Sequence, residues 1–368
     1  MKNAYFLMLF VALFFLSCHE NKNKESDEDK VKIDSDTNDL NDEDISNDEN
    51  NENDTPDVDS DNEKSCCLYY NTAIASNGSG DIYIAGFTRD NQHGCGCDYH
   101  GYYKYPDNDG WETVYICDEP GGECSFSNHG IWISDSGEAM AAGFSSPVLI
   151  NKDSWEWSSQ GDLNYDSALV AVWGTSLSDI FAAGDDGSPG KGAVFHFNGS
   201  EWTKMEIPTE NKLNGVWGTA SDNIYAVGEN GTILYYDGSE WSKMESGTTE
   251  YLSSVWGTSA NDIYVVGGSY TAEEESYVIL HFNGEVWEMV ENGEFFVLRG
   301  IHGTDKNNIY AVGNGVNGDV TESAILHFDG SEWEKIETEI NNSLFDVLAM
   351  EDGSFYVVGV DTVERIIP

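Results

Sequence analysis

Basic residues are scarce in this chain of 368 residues, because 17 lysines and arginines stand against 67 aspartates and glutamates, for a formal net charge of −50. A nucleic-acid backbone is bound through clustered lysine and arginine, and an anionic membrane surface through a polybasic patch. The composition therefore argues against both partners. The three arginines, Arg89, Arg299 and Arg365, lie far apart, which argues against a sialidase-like arginine cluster.

Proline and long apolar runs are scarce as well. Seven prolines accompany 38 glycines, 11 tryptophans, 19 tyrosines and 16 phenylalanines, which favours many strands joined by tight turns over long helices. The apolar run at residues 4–16 is 13 residues long. A membrane-spanning helix needs about 20 residues, so this run has instead the length typical of a signal-peptide hydrophobic region.

That run ends in Phe15-Leu16-Ser17-Cys18, which resembles the lipobox of bacterial lipoproteins, where signal peptidase cuts before a cysteine that is then lipidated. The resemblance implies a lipoprotein signal peptide at residues 1–17 and a lipid anchor on Cys18. His19 after the cysteine implies the outer membrane, so we expect the protein to be lipid-anchored in the bacterial cell envelope. An ordinary secretory signal with an unmodified Cys18 is the alternative.

Residues 18–64 are predicted to be an acidic, disordered tether. Residues 19–64 hold 19 acidic and 5 basic residues and no aromatic residue, so this segment cannot bury enough apolar surface to offset its chain entropy. Asp57-Val58-Asp59-Ser60-Asp61 begins like a calcium-binding EF-hand loop. Asn62 and Leu68 stand where that loop needs Gly and Glu, so we expect no calcium site here. We also expect no cofactor elsewhere in the chain.

Residues 65–368 repeat one pattern. An opening strand is followed by a polar turn, an apolar strand ending in Gly, a third strand, an Asn-Gly or Asp-Gly hairpin turn and a short strand with Trp. Weaker copies open near residues 74, 132 and 348, which makes seven units spaced 39 to 58 residues apart. The four clearest openings are Val172-Trp173-Gly174-Thr175, Val216-Trp217-Gly218-Thr219, Val255-Trp256-Gly257-Thr258 and Ile301-His302-Gly303-Thr304.

A four-stranded unit of about 40–45 residues is typical of a β-propeller blade. We predict an all-β fold over residues 65–368, a β-propeller of four-stranded blades with seven blades, six or eight being the alternatives. The last unit lacks a Trp-bearing strand, and Cys67-Leu68-Tyr69-Tyr70 is β-prone. We therefore predict that strands from the two chain ends pair in one blade and close the ring.

The Trp-Gly-Thr openings, the Tyr-Ala-Val-Gly type strands and the segments Asp237–Trp241 and Asp329–Trp333 resemble bacterial propellers of the WD-, YVTN- and BNR-like repeat group. The resemblance covers roughly residues 66–368. Such propellers host enzymes, lectins and scaffolds alike, so the resemblance implies the fold and leaves the function open.

Six cysteines besides Cys18 crowd the first repeat, and in an exported protein they predict disulfide bonds with undetermined connectivity. A metal site around Cys95 and Cys97 is the alternative. His196, His281 and His327 share one repeat position that also accepts Tyr235, so we expect them to have structural roles, as for His302. The disulfide candidates are Cys66, Cys67, Cys95, Cys97, Cys117 and Cys124.

The loops between second and third strands vary in length, whereas the other turns are nearly uniform. Variable loops gathered on one face often mark a binding face. The alternative is neutral drift in surface loops. The candidate binding residues are the acidic ones in those loops, namely Asp185, Asp186, Glu273, Glu274, Glu275 and Asp319.

The sequence shows no nucleophile–base set, no phosphate loop and no zinc motif, so we predict no catalytic residue and no metal site. We expect a monomeric, lipid-anchored propeller outside the cytoplasm that binds a protein or a glycan. The alternative is a carbohydrate-active hydrolase or lyase with its site at the propeller centre. A buried group of carboxylates with one raised pKa would favour that alternative.

Overall fold

All regular elements of the described residues are β-strands, which confirms the all-β class. The structure is a computed structural model, and no helix able to cross a membrane occurs in the part it describes. The predicted signal peptide, Cys18 and the tether lie outside that part. The described ranges are 67–77, 80–90, 101–104, 112–115, 128–143, 147–150, 157–159, 167–187, 191–270, 275–294, 296–317 and 320–368.

The described strands form seven antiparallel sheets, numbered 1 to 7 along the chain, in which each strand pairs with the next one in sequence. Sheet 1 consists of β1 (Cys67–Ser76), β2 (Ile82–Asp90), β3 (Gly101–Lys104) and β4 (Glu112–Tyr115). Sheet 2 consists of β5 (Asn128–Ile133), β6 (Ala139–Gly143), β7 (Val148–Ile150) and β8 (Trp157–Ser159). Sheet 3 consists of β9 (Ala168–Ser176), β10 (Asp179–Asp185), β11 (Gly192–Phe197) and β12 (Trp202–Lys204). Sheets 4 to 7 consist of β13 (Leu213–Ala220), β14 (Asn223–Gly228), β15 (Thr232–Tyr236) and β16 (Trp241–Met244), then β17 (Tyr251–Ser259), β18 (Asp262–Tyr270), β19 (Glu275–Phe282) and β20 (Trp287–Glu294), then β21 (Val297–Asp305), β22 (Asn308–Asn317), β23 (Val320–Phe328) and β24 (Trp333–Lys335), then β25 (Leu344–Ala349), β26 (Phe355–Gly359) and β27 (Thr362–Ile366).

The Asn-Gly and Asp-Gly signals form the predicted turns between third and fourth strands. In sheet 4, the Asp237 carboxylate accepts hydrogen bonds from the backbone N–H groups of Ser239 at 2.8 Å and Glu240 at 3.0 Å. Gly238 has φ of 89°, a conformation that a side chain disfavours. Asn198, Asn283 and Asp329 make the same bonds in sheets 3, 5 and 6, so one turn chemistry repeats.

The second strands are buried along almost their whole length, as in β6 and β26, where every residue is buried. Both faces of each sheet must therefore be covered, and in the described residues the core divides into clusters that lie between successive sheets. A further cluster joins Ile74, Ile82 and Ile84 of sheet 1 to Leu348 and Tyr356 of sheet 7. Sheet 7 therefore packs against sheet 1.

The chain ends do not pair as predicted. Cys67-Leu68-Tyr69-Tyr70 begins β1 and pairs with β2 in sheet 1, so this segment is not the outer strand of sheet 7. Its described backbone pairing with the last sheet is an isolated bridge between Tyr70 and Val360. The described part of sheet 7 has three strands, and ring closure by strand pairing is not confirmed.

Sheet 7 packs against the preceding sheet in a different way from sheets 4 to 6. In sheets 4 to 6 an aromatic residue of the third strand approaches the aromatic residue of the preceding sheet, as Phe328 approaches Tyr264 with ring centroids 6.2 Å apart. In sheet 7 the third strand offers Ile366, and Phe355 of the second strand stacks on Tyr310 at 4.1 Å instead. The space between sheets 6 and 7 is thus filled by an aromatic residue of the second strand of sheet 7.

Two of the predicted variable loops are largely strands. β18 and β19 stay paired out to Tyr270 and Glu275, and β22 and β23 out to Asn317 and Val320. Variable length suggested loops, but the backbone groups of a hairpin can stay paired whether or not its side chains are apolar. The second strands of sheets 5 and 6 are therefore longer than those of sheets 3 and 4.

Candidate functional site

The two ends of the strands present different chemistry, and we name them by their connections. The turn face carries the first-to-second and third-to-fourth turns, for example Ser176–Asp179 and Phe197–Trp202. The loop face carries the second-to-third connections and the entry into each first strand. These two surfaces are opposite, because strand direction reverses at each turn.

A repeated hydrogen-bonded group occupies the turn face. In sheet 3 the Asp179 carboxylate lies 2.8 Å from His196 Nε2 and accepts bonds from the Thr175 hydroxyl at 2.5 Å and the Ser221 hydroxyl of sheet 4 at 2.7 Å. Burial acts to raise the pKa of Asp179, but the hydrogen bonds from Thr175, Ser221 and His196 outweigh it, so the pKa is lowered. The group therefore holds a charged carboxylate that ties sheet 3 to sheet 4.

Sheets 5 and 6 repeat this group with one substitution. In sheet 5, Asp262 lies 2.7 Å from His281 Nε2 and accepts a bond from Thr258. In sheet 6, Asn308 takes the place of the carboxylate, 3.0 Å from His327 Nε2. The imidazoles stack on the aromatic residue of the second strand, as His281 does on Tyr264 at 4.4 Å. Because Asp and Asn fill the same position in different sheets, the hydrogen bond to the histidine does not require a charged carboxylate, which favours a structural role for these histidines.

The Trp-Gly-Thr motif has a packing explanation. A methyl group on Gly257 would lie 2.9 Å from the indole ring of Trp217 in the preceding sheet, and one on Gly303 would lie 2.7 Å from the ring of Trp256. Each glycine thus makes room for the tryptophan of the sheet before it. His302 of sheet 6 accepts a hydrogen bond from the Ala349 N–H of sheet 7 at 3.2 Å, so it also joins two sheets. Burial lowers the pKa of His302 to about 4.

The loop face differs, because its central positions do not repeat. The first strands of successive sheets lie side by side, with β1 beside both β5 and β25, so these strands line the centre. In every sheet the pairing register between the first and second strands shifts by one residue near the loop face, and that residue is partly exposed. These bulge residues are Thr72, His129, Val170, Asn214, Ser253, Arg299 and Phe345.

Three aromatic or cationic groups meet at this centre. The guanidinium of Arg299 lies 5.4 Å from the ring centroid of Phe345, and Phe345 stacks with Tyr70 at 6.4 Å. Arg299 donates its Nε hydrogen to the buried Asn314 at 2.9 Å, which orients the guanidinium. We call Arg299, Phe345 and Tyr70 the central cluster. It joins sheets 6, 7 and 1, and nothing in the sequence pattern indicated it.

Asp346 follows the bulge of sheet 7 at a position that is Ala, Gly or Ser in the other sheets. Its carboxylate accepts hydrogen bonds from the Ile74 N–H of sheet 1 at 3.0 Å and from the Val347 N–H at 2.9 Å. Gly300 makes room for it, since a methyl group there would lie 2.8 Å from Asp346 Oδ1. Burial raises the pKa of Asp346 to about 7, against the opposing effect of the two N–H groups.

The acidic candidates on the loop face are only partly described. Asp185 pairs with Lys212 at 2.8 Å and Asp186 with Lys204 at 2.7 Å, and their side chains are 14% and 16% exposed. Two of the predicted acidic groups are therefore neutralised by lysines. Glu275 lies in β19, but its side chain, together with Glu273, Glu274 and Asp319, is outside the described residues.

The cysteine candidates are not resolved into pairs. Cys67 begins β1, and its side chain lies outside the described residues, as do Cys66, Cys95, Cys97, Cys117 and Cys124. In the described part of the chain, no three His, Cys, Asp or Glu side chains come together as metal ligands would.

Comparison with known proteins supports the propeller fold. No protein-family model matches the chain, and no curated protein sequence matches it. The WD40 β-propeller domain of Doa1 is similar in structure, with a TM-score of 0.58 and 9% identity over 80% of this chain and 91% of that one. Two further similar structures are a chain of the mitotic checkpoint complex, with a TM-score of 0.60 and 10% identity over 80% and 86%, and YCF48 bound to D1 peptide, with 0.54 and 11% over 81% and 93%.

These likenesses establish a repeat β-propeller. At such low identity they show the fold alone, and the function has to be argued from this chain's own residues.

Proposed function

We propose that this chain is a lipid-anchored propeller outside the cytoplasm that binds a protein partner on its loop face. The observation that carries the proposal is the central cluster. Arg, Tyr and Phe are enriched at the energetic centres of protein interfaces, where rigid aromatic rings bury large areas. Arg299, Phe345 and Tyr70 lie together where three sheets meet, at positions that the repeat leaves free to differ.

We expect the acidic loop residues to lie near this cluster. In the sequence, Glu273 and Glu274 fall between β18 and β19, Glu275 begins β19 and Asp319 falls between β22 and β23, and second-to-third connections belong to the loop face. An acidic rim around an aromatic centre fits a partner with a basic surface and an apolar side chain to bury. The YCF48 structure contains a bound D1 peptide, which is consistent with peptide capture by a propeller of this size.

The alternative is an enzyme acting on carbohydrate at the centre. Its expected mark was a group of buried carboxylates with one raised pKa. The pKa is raised at Asp346 and also at Glu229, where burial is the main cause, Lys212 opposes the shift and the Asp185 carboxylate adds to it. However, both oxygens of Asp346 accept backbone N–H bonds, and the raised pKa arises from burial without a second carboxylate. This arrangement favours a structural Asp346 and supports the binding function.

The test is photo-crosslinking in cells. A benzoyl-phenylalanine placed at Phe345 should form an adduct with a protein, whereas the same residue at the exposed Ser239 of the turn face should not. Arg299→Ala should reduce the Phe345 adduct at least tenfold. Adducts from Ser239 alone, or an adduct at Phe345 that is insensitive to Arg299→Ala, would contradict the proposal.

The anchor is tested separately. Cys18→Ser should move the protein from the membrane fraction to the soluble fraction or leave it unprocessed, since acyl chains contribute about 0.8 kcal/mol per buried CH₂. Cys66→Ser is the matched control and should stay with the membranes. If processed Cys18→Ser protein still sediments with the membranes, the lipid anchor is wrong.

A further inference from the structure

The outer strand of sheet 5, β20, differs from the other outer strands in length. It has eight residues, whereas the fourth strands of the other described sheets have three or four. It pairs with β19 along this whole length and lies at the edge of its sheet. A long edge strand presents a row of backbone N–H and C=O groups that can pair with another strand.

The side chains of β20 also differ. The register places Lys204 opposite Phe195, Lys243 opposite Leu234 and Lys335 opposite Leu326, and the equivalent residue in sheet 5 is Met289, opposite Leu280. Lysine on an edge strand prevents pairing with other chains, because its charge would have to be buried. Sheet 5 therefore lacks at this position the charge that protects the edges of sheets 3, 4 and 6.

The exposed apolar surface of the described residues is concentrated here. Met289 is 46% exposed, Val290 42% and Val286 52%, and these are three of the five large apolar residues with such exposure. The register shift between Ile279 and Leu280 leaves Val290 as an extra residue on the outer strand. Bulges at sheet edges re-aim side chains, and here the bulge presents Val290 beside Met289 on the rim.

The charges around this strip indicate which partner fits. Glu285 and Glu288 are exposed and Glu291 is partly exposed, and the ten residues from Glu285 to Glu294 contain no basic residue. Pairing two copies of β20 would bring these glutamates against each other, and like charges on paired strands are destabilising. A second copy of this chain is therefore a poor occupant, and a strand with basic residues is a good one.

We propose that β20 is a second docking edge, on the rim of the propeller, that takes an extended segment of a partner protein with alternating basic and apolar side chains. The segment adds a fifth strand to sheet 5 through backbone hydrogen bonds. Its apolar side chains cover Met289 and Val290, and its basic side chains meet Glu288 and Glu291. This mode of recognition is β-strand addition, in which the ladder supplies affinity and the side chains supply selectivity.

The experiment uses the purified full chain and a ten-residue peptide of alternating Lys and Val, blocked at both ends and labelled with fluorescein. Anisotropy should show saturable binding, and hydrogen exchange should show slower exchange of β20 amides when the peptide is bound. The matched Glu-Val peptide should not bind. Absence of slowed exchange in β20 at millimolar Lys-Val peptide would overturn the proposal.

Two variants with the same charge change separate docking from general attraction. Met289→Lys introduces the residue that sheets 3, 4 and 6 carry at this position, so the variant should fold normally. It should raise the Kd for the Lys-Val peptide at least tenfold. Thr203→Lys adds the same charge to the exposed outer strand of sheet 3 and should change the Kd less than twofold. Equal weakening by both variants, or dimers of the unliganded chain that Met289→Lys abolishes, would reject a basic strand as the occupant.

Discussion

The turn face and the loop face are built by the same strands, yet only one of them repeats its chemistry. On the turn face, Asp179 and Asp262 hold equivalent histidine and threonine partners. On the loop face, the bulge residue is different in each sheet, and Arg299 of sheet 6 lies against the ring of Phe345 of sheet 7. Residues that make the same link in successive sheets must keep the same chemistry, whereas loop-face links such as that between Asp346 and Ile74 differ from sheet to sheet. We therefore expect partner recognition on the loop face.

The largest effect should come from breaking the packing of the turn face. In Gly257→Val, the added Cβ would lie 2.6 Å from the Asp262 carbonyl oxygen and 2.9 Å from the Trp217 ring. We expect the free energy of unfolding to fall by about 2–3 kcal/mol in a denaturant titration. Thr203→Val on an exposed outer strand should stay within about 0.5 kcal/mol, and equal stability of both variants would refute the packing explanation.

The repeated carboxylate group gives a sharper contrast within one position. Asp262→Ala removes the partner of His281 and Thr258 and should cost about 1–2 kcal/mol. Asp262→Asn should cost less than about 0.5 kcal/mol, because Asn308 already fills this position in sheet 6. Urea unfolding of both variants measures the difference. A large cost for Asp262→Asn would mean that the charge itself matters.

The contribution of the junction of sheets 7 and 1 to the free energy of unfolding should change with pH in the opposite direction to that of an ion-paired carboxylate. The pKa of Asp346 is raised in the folded state to about 7, so between pH 4 and 7 the folded chain binds more protons than the unfolded chain. This contribution to stability is present at low pH and is lost as pH rises towards 7. Because Asp346 keeps partial exposure, we expect about 1 kcal/mol between pH 5 and 7, well below full linkage.

Asp346→Asn isolates that contribution. The difference in unfolding free energy between wild type and variant should change by this amount from pH 5 to pH 7, while carboxylates with lowered pKa, such as Asp179 and Asp352, affect both proteins equally. A wild-type minus variant difference that is flat with pH would show that the carboxylate is not buried at this junction.

The smallest effect on stability belongs to the loop face. Replacing Glu273, Glu274 and Glu275 together by Ala should leave the free energy of unfolding within about 0.5 kcal/mol, since three consecutive glutamates in a polar stretch are typical of solvent-exposed sequence. Partner binding and its salt dependence should weaken, because an acidic rim acts through charge. A cross-linking map that places the partner on the turn face would reverse the assignment of the two faces.

The sequence pattern predicted the parts that depend on neighbours along the chain. Asn223–Gly228 is an apolar strand that ends in Gly, as the repeat pattern predicts, and the Asn-Gly and Asp-Gly signals form the turns that follow the third strands. Trp287, the tryptophan of the predicted fourth strand, lies in the cluster joining sheets 4 and 5. The variable second-to-third connections were predicted to be loops, but β18 and β19 stay paired as far as Tyr270 and Glu275.

The sequence alone therefore determined the repeat, the class of each strand and the turn chemistry, since these depend on residues within a few positions of each other. Tertiary structure decided which residues meet at the centre and at the edges. The hydrogen bond between Ile74 and Asp346 joins residues 272 positions apart, and the one between Asn71 and Gly359 joins residues 288 apart. No local pattern encodes such contacts, because they arise only when the last sheet packs against the first. The same is true of the central cluster, which draws its three side chains from sheets 6, 7 and 1.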